Sequence, residues 1–499
     1  MKKRASGILL PVFSLPSEYG IGDFGSSSYN FIDYLVSAGQ TVWQILPLAI
    51  TGYGNSPYSS VCSFSISPYY ISPELLYKDG LITKTELNGA KKGGKLIDYG
   101  FLYSKRYDIL KKAFSRFDKT DKDFVKFVKG KNFLDYALFT TLKIHLNFAP
   151  LISWEDKYKF RDKRALDKFY KENEQEVLFY EFTQFIAKKQ WIALKKYANS
   201  KGVKILGDIP LYVALDSVDV WTNPKLFKLN PDLTPKKVAG VPPDYFSEDG
   251  QLWGNPVYDY EYHEKTGFSW WINRIKSALC DYDLIRIDHF RGLDRYFEID
   301  ADAKTAREGE WINVPSLALF TALHKKVNKN KIIAEDLGVI DDSVRKLLSI
   351  VGYPGMKILS FAFNGDNNNP YLPQNIPENA VCFTGTHDND TLLGLIKSFN
   401  IKEKRAFKSH VKKSLDLMGL DTKISCDKEL LDAVINLGYK SKAKLFIIPM
   451  QDVLGLNSSY RINVPGEVRA QNWAVRLSKK HFTENSIKYI KSLTKKYKR

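Results

Sequence analysis

The segment at residues 284–293 reads LIRIDHFRGL and combines the features of a buried strand with those of a chemical site. Leu284, Ile285 and Ile287 are apolar, whereas Arg286 and Asp288 are charged. A charge at the end of an apolar strand is costly unless it is paired or used. Because Arg286 lies two residues before Asp288, both side chains are expected on the same side of the strand.

Seven further runs of strand length share this apolar character, and helical patterns separate most of them. Near-continuous apolar strands that alternate with helices indicate a parallel sheet buried on both faces. Eight such strands predict an α/β fold, namely a closed (β/α)₈ TIM barrel. The eight runs are SGILLPV (6–12), TVWQILPL (41–48), VKILGDIP (203–210), YDLIRIDHF (282–290), KIIAEDLG (331–338), MKILSFAF (356–363), AVCFTGTHD (380–388) and KLFIIPMQD (444–452).

Two connections between these runs are too long to be simple crossovers. The first, from about 49 to 202, contains a Lys-rich and largely helical stretch. The second, from about 210 to 282, is rich in Pro, Gly, Asn and aromatic residues and is expected to form part of a substrate groove. We expect both to be insertions at the C-terminal ends of strands within one catalytic barrel spanning residues 1–499, with no separate C-terminal β domain.

Composition excludes several classes of function. The net charge is +18, with lysines concentrated between about 85 and 205 and in the tail KYIKSLTKKYKR. No stacking motif or basic loop accompanies this charge, so we expect solvated helix faces and no nucleic-acid partner. No uninterrupted apolar stretch reaches the roughly 18 residues that span a membrane, so no membrane association is expected.

The N-terminus and the cysteines bear on the compartment. MKKRASGILLPVF has the basic start and apolar run of a signal peptide, but Pro11 interrupts the run and no small-residue cleavage site follows, so it is interpreted as a first strand. The cysteines are far apart and form no CxxC pair, which argues against a disulfide framework or a zinc site. A cytoplasmic protein is expected. The cysteines are Cys62, Cys280, Cys382 and Cys426.

Polar or charged residues end most of the eight runs, and the C-terminal ends of all barrel strands meet at one mouth. Several carboxylates at one mouth suggest glycoside cleavage, in which one acts as nucleophile and another as general acid and base. Arg286 is expected to hold Asp288 ionised, as a nucleophile requires. Desolvation is expected to raise the pKa of Glu335 and keep it protonated. The strand-end residues are Asp208, Asp288, Glu335 with Asp336, His387 with Asp388, and Gln451 with Asp452.

The order of the motifs resembles that of the 4-α-glucanotransferases (amylomaltases or disproportionating enzymes, glycoside hydrolase family 77), which are relatives of the α-amylases. The resemblance covers nearly the whole chain. It implies a barrel without the separate C-terminal β domain that is common in amylases. The motifs are SLPSEYGIGDFG, GYGNSPY, GDIPLYVALDSVDVW, VAGVPPDYFSEDGQLWGNPVYD, RIDHFRG, AEDLG, GYPGMKILSFAF, TGTHDND, RINVPG and NWAVR.

The resemblance implies roles for individual residues. Asp288 matches the nucleophile, Glu335 the acid/base, and Asp388 a third carboxylate that binds sugar hydroxyls and helps to distort the donor ring. Arg286 and His387 match residues that contact the nucleophile and the donor sugar. Positions matching substrate contacts are Asp208, Tyr53, Ser56, Tyr58, Gln251 and Trp253, while Tyr245 and Phe246 match a loop that covers the groove.

The implied reaction is the retaining transfer of α-1,4-glucan segments between maltodextrins, which requires no metal and no organic cofactor. The chain departs from the family pattern at Asn55 in GYGNSPY, in the looser stretch CSFSISPYYISPELL, at residues 313–315, and at Val475 in NWAVR. None touches the three carboxylates, so distant sugar binding and loop packing are affected but not the reaction.

Other interpretations remain open. A strand-end Asp beside an Arg is more often a structural ion pair when it is seen alone. Asp336 is expected to point away from Glu335 and to be structural, and His289 and Arg291 are expected to support the site. The nearest alternative function is an α-1,4-glucan hydrolase with the same carboxylates, followed by a glucan-binding protein with a dead site.

Overall fold

The computed structural model describes residues 4–52, 54–243, 248–338, 340–421 and 423–499. The strands in these ranges are β1 (Ala5–Leu9), β2 (Val42–Gln44), β3 (Lys204–Ile209), β4 (Lys237–Val241), β5 (Gln251–Pro256), β6 (Leu284–Ile287), β7 (Arg295–Asp300), β8 (Glu310–Asn313), β9 (Ile332–Ala334), β10 (Gly355–Ile358), β11 (Ala380–Phe383) and β12 (Leu445–Pro449).

Helices cover much of the remaining described chain. They are α1 (Ser26–Ser37), α2 (Pro73–Lys78), α3 (Lys84–Gly89), α4 (Tyr99–Arg116), α5 (Lys122–Lys129), α6 (Leu134–His145), α7 (Asp156–Lys159), α8 (Lys163–Glu172), α9 (Glu174–Ser200), α10 (Val218–Thr222), α11 (Tyr260–Lys265), α12 (Ser269–Asp281), α13 (Ser316–His324), α14 (Asp342–Val351), α15 (Leu392–Ser398), α16 (Ile401–Leu417), α17 (Asp427–Lys440), α18 (Met450–Val453) and α19 (Glu484–Tyr497).

Eight of the described strands form one parallel sheet in the order β10-β11-β12-β1-β2-β3-β6-β9. Each of them overlaps one of the eight apolar runs, so the predicted barrel is confirmed. Every residue of β1, β6, β11 and β12 is buried. Parallel strands have this pattern because helices cover the outer face while side chains fill the interior.

The sheet closes between β9 and β10 through one backbone hydrogen bond and the side chain of Asp336. The amide of Ala334 donates to the carbonyl of Pro354 over 3.0 Å. Beyond it, the Asp336 carboxylate accepts the Met356 amide at 2.5 Å and the Lys357 Nζ at 3.1 Å. Asp336 therefore serves the barrel closure, in line with its structural interpretation from the sequence.

A second, antiparallel sheet has the order β5-β4-β7-β8. It has a small core of its own, formed by Val238, Phe297, Ile299 and Ala306. The predicted insertion at about 210–282 supplies β4 and β5, whereas β7 and β8 follow β6 along the chain. The two parts pair where β4 lies against β7. The sequence did not indicate that residues after the Asp288 strand contribute to this sheet.

The connection between β2 and β3 contains α2 to α9. The 27-residue α9 ends just before β3, and Asn199 bonds the Val203 carbonyl over 3.1 Å. No helix in the described ranges combines the length and the hydropathy that a membrane crossing requires. The division of the chain into a barrel and two insertions stays a prediction.

The packing of β3 predicts the effect of one substitution. A Cβ atom at Gly207 would overlap the buried ring of Tyr282. We expect Gly207→Ala to lower the free energy of unfolding by about 1–3 kcal/mol, as overpacked cores do. Urea unfolding of the purified protein measures this effect.

Gly89 provides the matched control, because it is exposed in α3 and no atom lies within 4 Å of a Cβ placed there. Gly89→Ala should leave stability unchanged or raise it by up to about 1 kcal/mol. Equal urea midpoints for the Gly207 variant and the unsubstituted chain would contradict the packing described for β3.

Candidate active site

Arg286 lies at the centre of the site and binds two carboxylates. It is the register partner of Asp208 on the neighbouring strand β3. Its Nε and Nη2 donate to Asp208 at 2.9 and 2.7 Å, and Nη2 also donates to Asp288 Oδ1 at 2.7 Å. The side chains of Arg286 and Asp208 are almost completely buried, whereas that of Asp288 keeps 28% of its exposure. Of these three side chains, only that of Asp288 is accessible from the open mouth of the barrel.

This sharing changes the electrostatics expected for Asp288. Burial raises the pKa of the Asp288 carboxyl above its ordinary value, Arg286 lowers it, and the carboxylates of Asp208, Glu335 and Asp388 raise it. The predicted contact with Arg286 is present. However, one guanidinium charge is divided between two carboxylates, so Arg286 does not by itself guarantee an ionised Asp288.

Glu335 follows β9 and is held by backbone amides. His289 N and Leu337 N each donate to its carboxylate at 2.7 Å. Burial raises the pKa of Glu335, while Arg286 and the two amide bonds oppose that increase. Its environment therefore differs from that of Asp288, which contacts the Arg286 guanidinium.

The turn after Asp288 makes the bond to Glu335 possible. His289 has φ 47° and ψ 50°, a left-handed conformation that costs a non-glycine residue about 1 kcal/mol or more. This turn directs the His289 amide to Glu335, and the next amide, of Phe290, donates to the Glu335 carbonyl over 3.1 Å. Backbone strain of this kind is concentrated at functional sites.

Asp388 follows β11 and is oriented by a distant loop. Asn463 Nδ2 donates to Asp388 Oδ1 at 2.7 Å, and Arg461 Nη2 donates to its backbone carbonyl at 2.6 Å. His387 Nε2 lies 3.4 Å from Asp388 Oδ2. Arg461 and Asn463 belong to the RINVPG motif, but neither was predicted as a site residue from the sequence. The only sequence feature that could have indicated their role is that both are polar residues in a motif without the alternation of a strand.

Aromatic rings surround the carboxylates. Tyr58 stacks on His387 with ring centroids 5.1 Å apart and planes 10° from parallel. Its hydroxyl donates to Asp208 at 2.6 Å and accepts from Arg286 at 3.1 Å. Trp473 lies 5.8 Å from both rings and was not identified from the sequence. Burial lowers the pKa of His387, and Asp388 opposes this.

Two further predicted residues lie on β5 beside the turn. The Trp253 ring meets the His289 ring edge-on, with centroids 5.0 Å apart. Its indole N–H donates to Gln251 Oε1 at 3.2 Å. Trp253 keeps 37% of its exposure, so its ring is available to a ligand. The second sheet thus places an aromatic side chain next to the residue that follows Asp288.

Of the remaining residues predicted to contact the substrate, only Ser56 lies within the described residues. Ser56 Oγ accepts the Tyr58 amide at 3.3 Å, and no hydrogen bond from Ser56 to a carboxylate occurs among the described residues. Tyr53, Tyr245 and Phe246 lie outside the described residues. Within the described ranges, no group of three His, Cys, Asp or Glu side chains has the arrangement of a metal site.

Comparison with known proteins identifies the family of the chain. A family model described as 4-alpha-glucanotransferase matches residues 10–482. A 4-alpha-glucanotransferase of Clostridium butyricum is 43% identical over 492 residues, covering 97% of this chain and 99% of the relative. One of Thermus thermophilus is 42% identical and covers 95% of both chains.

A solved structure, amylomaltase from Streptococcus agalactiae in complex with acarbose, is 37% identical and superposes with a TM-score of 0.93 over the full length of both chains. Amylomaltase from Corynebacterium glutamicum, at 20% identity and a TM-score of 0.78, shares the fold. The sequence match over nearly the whole chain and the barrel with its strand-end carboxylates lead to one conclusion: the chain belongs to glycoside hydrolase family 77 and is a 4-alpha-glucanotransferase.

Proposed function

We propose that this 4-alpha-glucanotransferase transfers α-1,4-glucan segments between maltodextrins by a retaining double displacement. The observation that carries the proposal is the grouping of Asp288, Glu335 and Asp388 at one mouth, with Arg286 bound between Asp208 and Asp288. Two carboxyl groups in different surroundings are what a nucleophile and an acid/base require.

In the first step, Asp288 attacks the anomeric carbon of the donor. Its Oδ1 accepts the Arg286 hydrogen bond, so Oδ2 is the oxygen that forms the new bond. The glycosidic C–O bond breaks, and Glu335 gives its proton to the leaving oxygen. The leaving glucan departs with a free 4-hydroxyl, and the donor segment stays on Asp288 as a covalent ester.

In the second step, Glu335 is ionised and takes the proton of an acceptor 4-hydroxyl. That oxygen attacks the anomeric carbon, the bond to Asp288 breaks, and the α configuration is restored. The backbone amides at Glu335 stabilise its ionised form between the two steps. One α-1,4 bond replaces another, so the overall reaction is nearly neutral in free energy.

Asp388 is proposed to bind hydroxyls of the donor ring, held in place by Asn463 and Arg461. Aromatic faces pack on sugar rings, and the partly exposed Trp253 is proposed for this role. The remaining substrate contacts are proposed from the motifs: Tyr53, Ser56, Tyr58, Asp208, Gln251, His387, and the loop residues Tyr245 and Phe246.

The wider assignment is a single catalytic barrel of residues 1–499, with insertions at about 49–202 and 210–282. We propose that it acts in the cytoplasm. The four cysteines are free, which supports a reducing compartment. The amylomaltase that binds acarbose supports a carbohydrate ligand for the same groove in this chain.

Maltotriose tests the function directly. We expect glucose and a ladder of longer maltodextrins, with the total of reducing ends almost constant, because an acceptor sugar takes the segment and water does not. Asp288→Asn should abolish all products while melting stays unchanged, since the amide keeps the shape of the carboxylate. Chromatography and a reducing-end assay measure the products of both proteins, and thermal unfolding measures the melting of the variant. A steady rise in reducing ends without longer products would reject transfer between maltodextrins.

Asp208→Asn tests the electrostatics of the nucleophile. Asp288 reacts ionised, so activity is present above its pKa and is lost as the pH falls through that pKa. The Asp208 charge raises this pKa. Its removal should therefore move the acid limb of kcat/KM to lower pH, by about one unit. The exposed Asp300 pairs with Lys237, and Asp300→Asn is the control. An acid limb that stays in place or rises would contradict the shared-charge arrangement.

Trp253 and its neighbour Leu252 form a matched pair, exposed by 37% and 39% and directed to opposite faces of β5. Trp253→Ala should raise KM for maltodextrins roughly tenfold, equivalent to about 1.4 kcal/mol of lost binding. It should also raise the hydrolysed share, because the glucosyl ester is less covered. Leu252→Ala should change neither. Equal effects of the two substitutions would remove the role proposed for the indole ring.

A further inference from the structure

Asp452 is a strand-end carboxyl that the proposed reaction does not use. It lies in the short helix α18, just after β12, and is almost completely buried. Burial raises its pKa to about 6, while hydrogen bonds from the Thr384 hydroxyl and the Leu392 amide lower it. An ionised carboxyl is costly in a buried place unless donors compensate for the lost water. The position of these two donors therefore indicates what the carboxyl does.

The two donors lie on either side of one loop. Asp452 Oδ2 accepts the Thr384 hydroxyl at 2.6 Å, and Oδ1 accepts the Leu392 amide at 2.7 Å. Thr384 directly follows β11, and Leu392 is the first residue of α15. One carboxyl group thus joins the two ends of the loop formed by residues 385–391.

This loop carries His387 and Asp388 to the mouth of the barrel. The Asp388 side chain keeps 44% of its exposure, whereas Thr384 and Asp452 are buried. Asp452 is therefore not accessible to a substrate, and any effect it has on the reaction passes through the loop.

Hydrogen bonds within and around the 385–391 loop brace it. Asn389 Oδ1 accepts the amide of Thr386 at 2.8 Å and its hydroxyl at 3.0 Å. Asp390 Oδ2 accepts the Ser458 hydroxyl at 2.6 Å. Because the loop is braced in this way, a shift at its ends is passed on to its exposed residues.

We propose that Asp452 is a positioning residue for the transfer reaction, which fixes the Asp388 carboxyl by joining both ends of its loop. The inference rests on the proposed role of Asp388 at the donor ring. Asn463 and Arg461 bind Asp388 from the RINVPG segment, and Asp452 holds the base of the loop. A displacement of about 1 Å at a reacting centre can cost roughly 100-fold in rate, so the base of the loop matters to the chemistry.

Steady-state kinetics with maltotriose test the proposal in Asp452→Ala. We expect kcat to fall about 10- to 100-fold while KM stays within about twofold, because contacts to the distorted donor ring develop in the transition state. Asp283→Ala is the matched control. Asp283 Oδ2 accepts the Ile205 amide and the Asn199 side chain, both at 2.8 Å, but it precedes β6 and so lies at the opposite end of the barrel. This control should lower the urea midpoint and leave kcat unchanged.

Thr384 keeps the proposal testable if Asp452→Ala does not fold. Thr384→Val removes the hydroxyl donor and keeps the shape of the side chain, whereas Thr384→Ser keeps the donor. We expect Thr384→Val to lower kcat several-fold at unchanged KM, and Thr384→Ser to retain the kcat of the unsubstituted chain. Equal kcat values for these two variants would reject the positioning role.

Asp388→Asn separates this inference from the proposed function. If Asp388→Asn retains its kcat, the proposed role of Asp388 is wrong, and the inference that rests on it is wrong too. If Asp388→Asn loses kcat while Thr384→Val and folded Asp452→Ala retain it, the positioning role is wrong and the proposed function stands. An equal loss of kcat in Asp283→Ala and Asp452→Ala would likewise reject the positioning role alone.

Discussion

The site depends on the ion pairs that the Arg286 guanidinium makes with Asp208 and Asp288. The guanidinium joins β3 to β6 through Asp208, binds the carboxylate of Asp288, and donates to the hydroxyl of Tyr58 in the connection between β2 and β3. Breaking a buried ion pair typically costs about 3–5 kcal/mol, because the remaining charge is left without compensation. One cation thus couples the stability of two barrel strands to the position and charge of Asp288, the proposed nucleophile.

The turn at His289 extends this coupling to Glu335, the proposed acid/base residue. Its left-handed backbone directs an amide to Glu335, and its ring meets Trp253 on the second sheet. The Glu335 carboxyl is subject to burial, which favours its protonated form, and to amide donors, which favour its ionised form. One left-handed residue therefore contacts both the Glu335 carboxyl and the Trp253 ring.

The third carboxylate shows how the chain assembles the site from remote segments. Asn463 lies 75 residues after Asp388, and Arg461 lies 73 residues after it. Together with Trp473, these residues border the mouth on the side of β11 and β12. Groups fixed before substrate arrives contribute to catalysis without reorganisation during the reaction. The connection between β2 and β3 and the C-terminal loops thus contribute side chains that bind the strand-end carboxylates.

The apolar runs determined the barrel, because only strands covered on both faces tolerate such continuous hydrophobicity, and their polar ends located Asp288, Glu335 and Asp388 at one mouth. The pairing of β4 with β7 could not be derived in this way, since it joins segments separated by a barrel strand. Nor could the division of Arg286 between Asp208 and Asp288, or the bond from Asn463 to Asp388. Such contacts depend on which strands become neighbours and how side chains turn into a shared space, and these are properties of the folded chain that local periodicity does not contain.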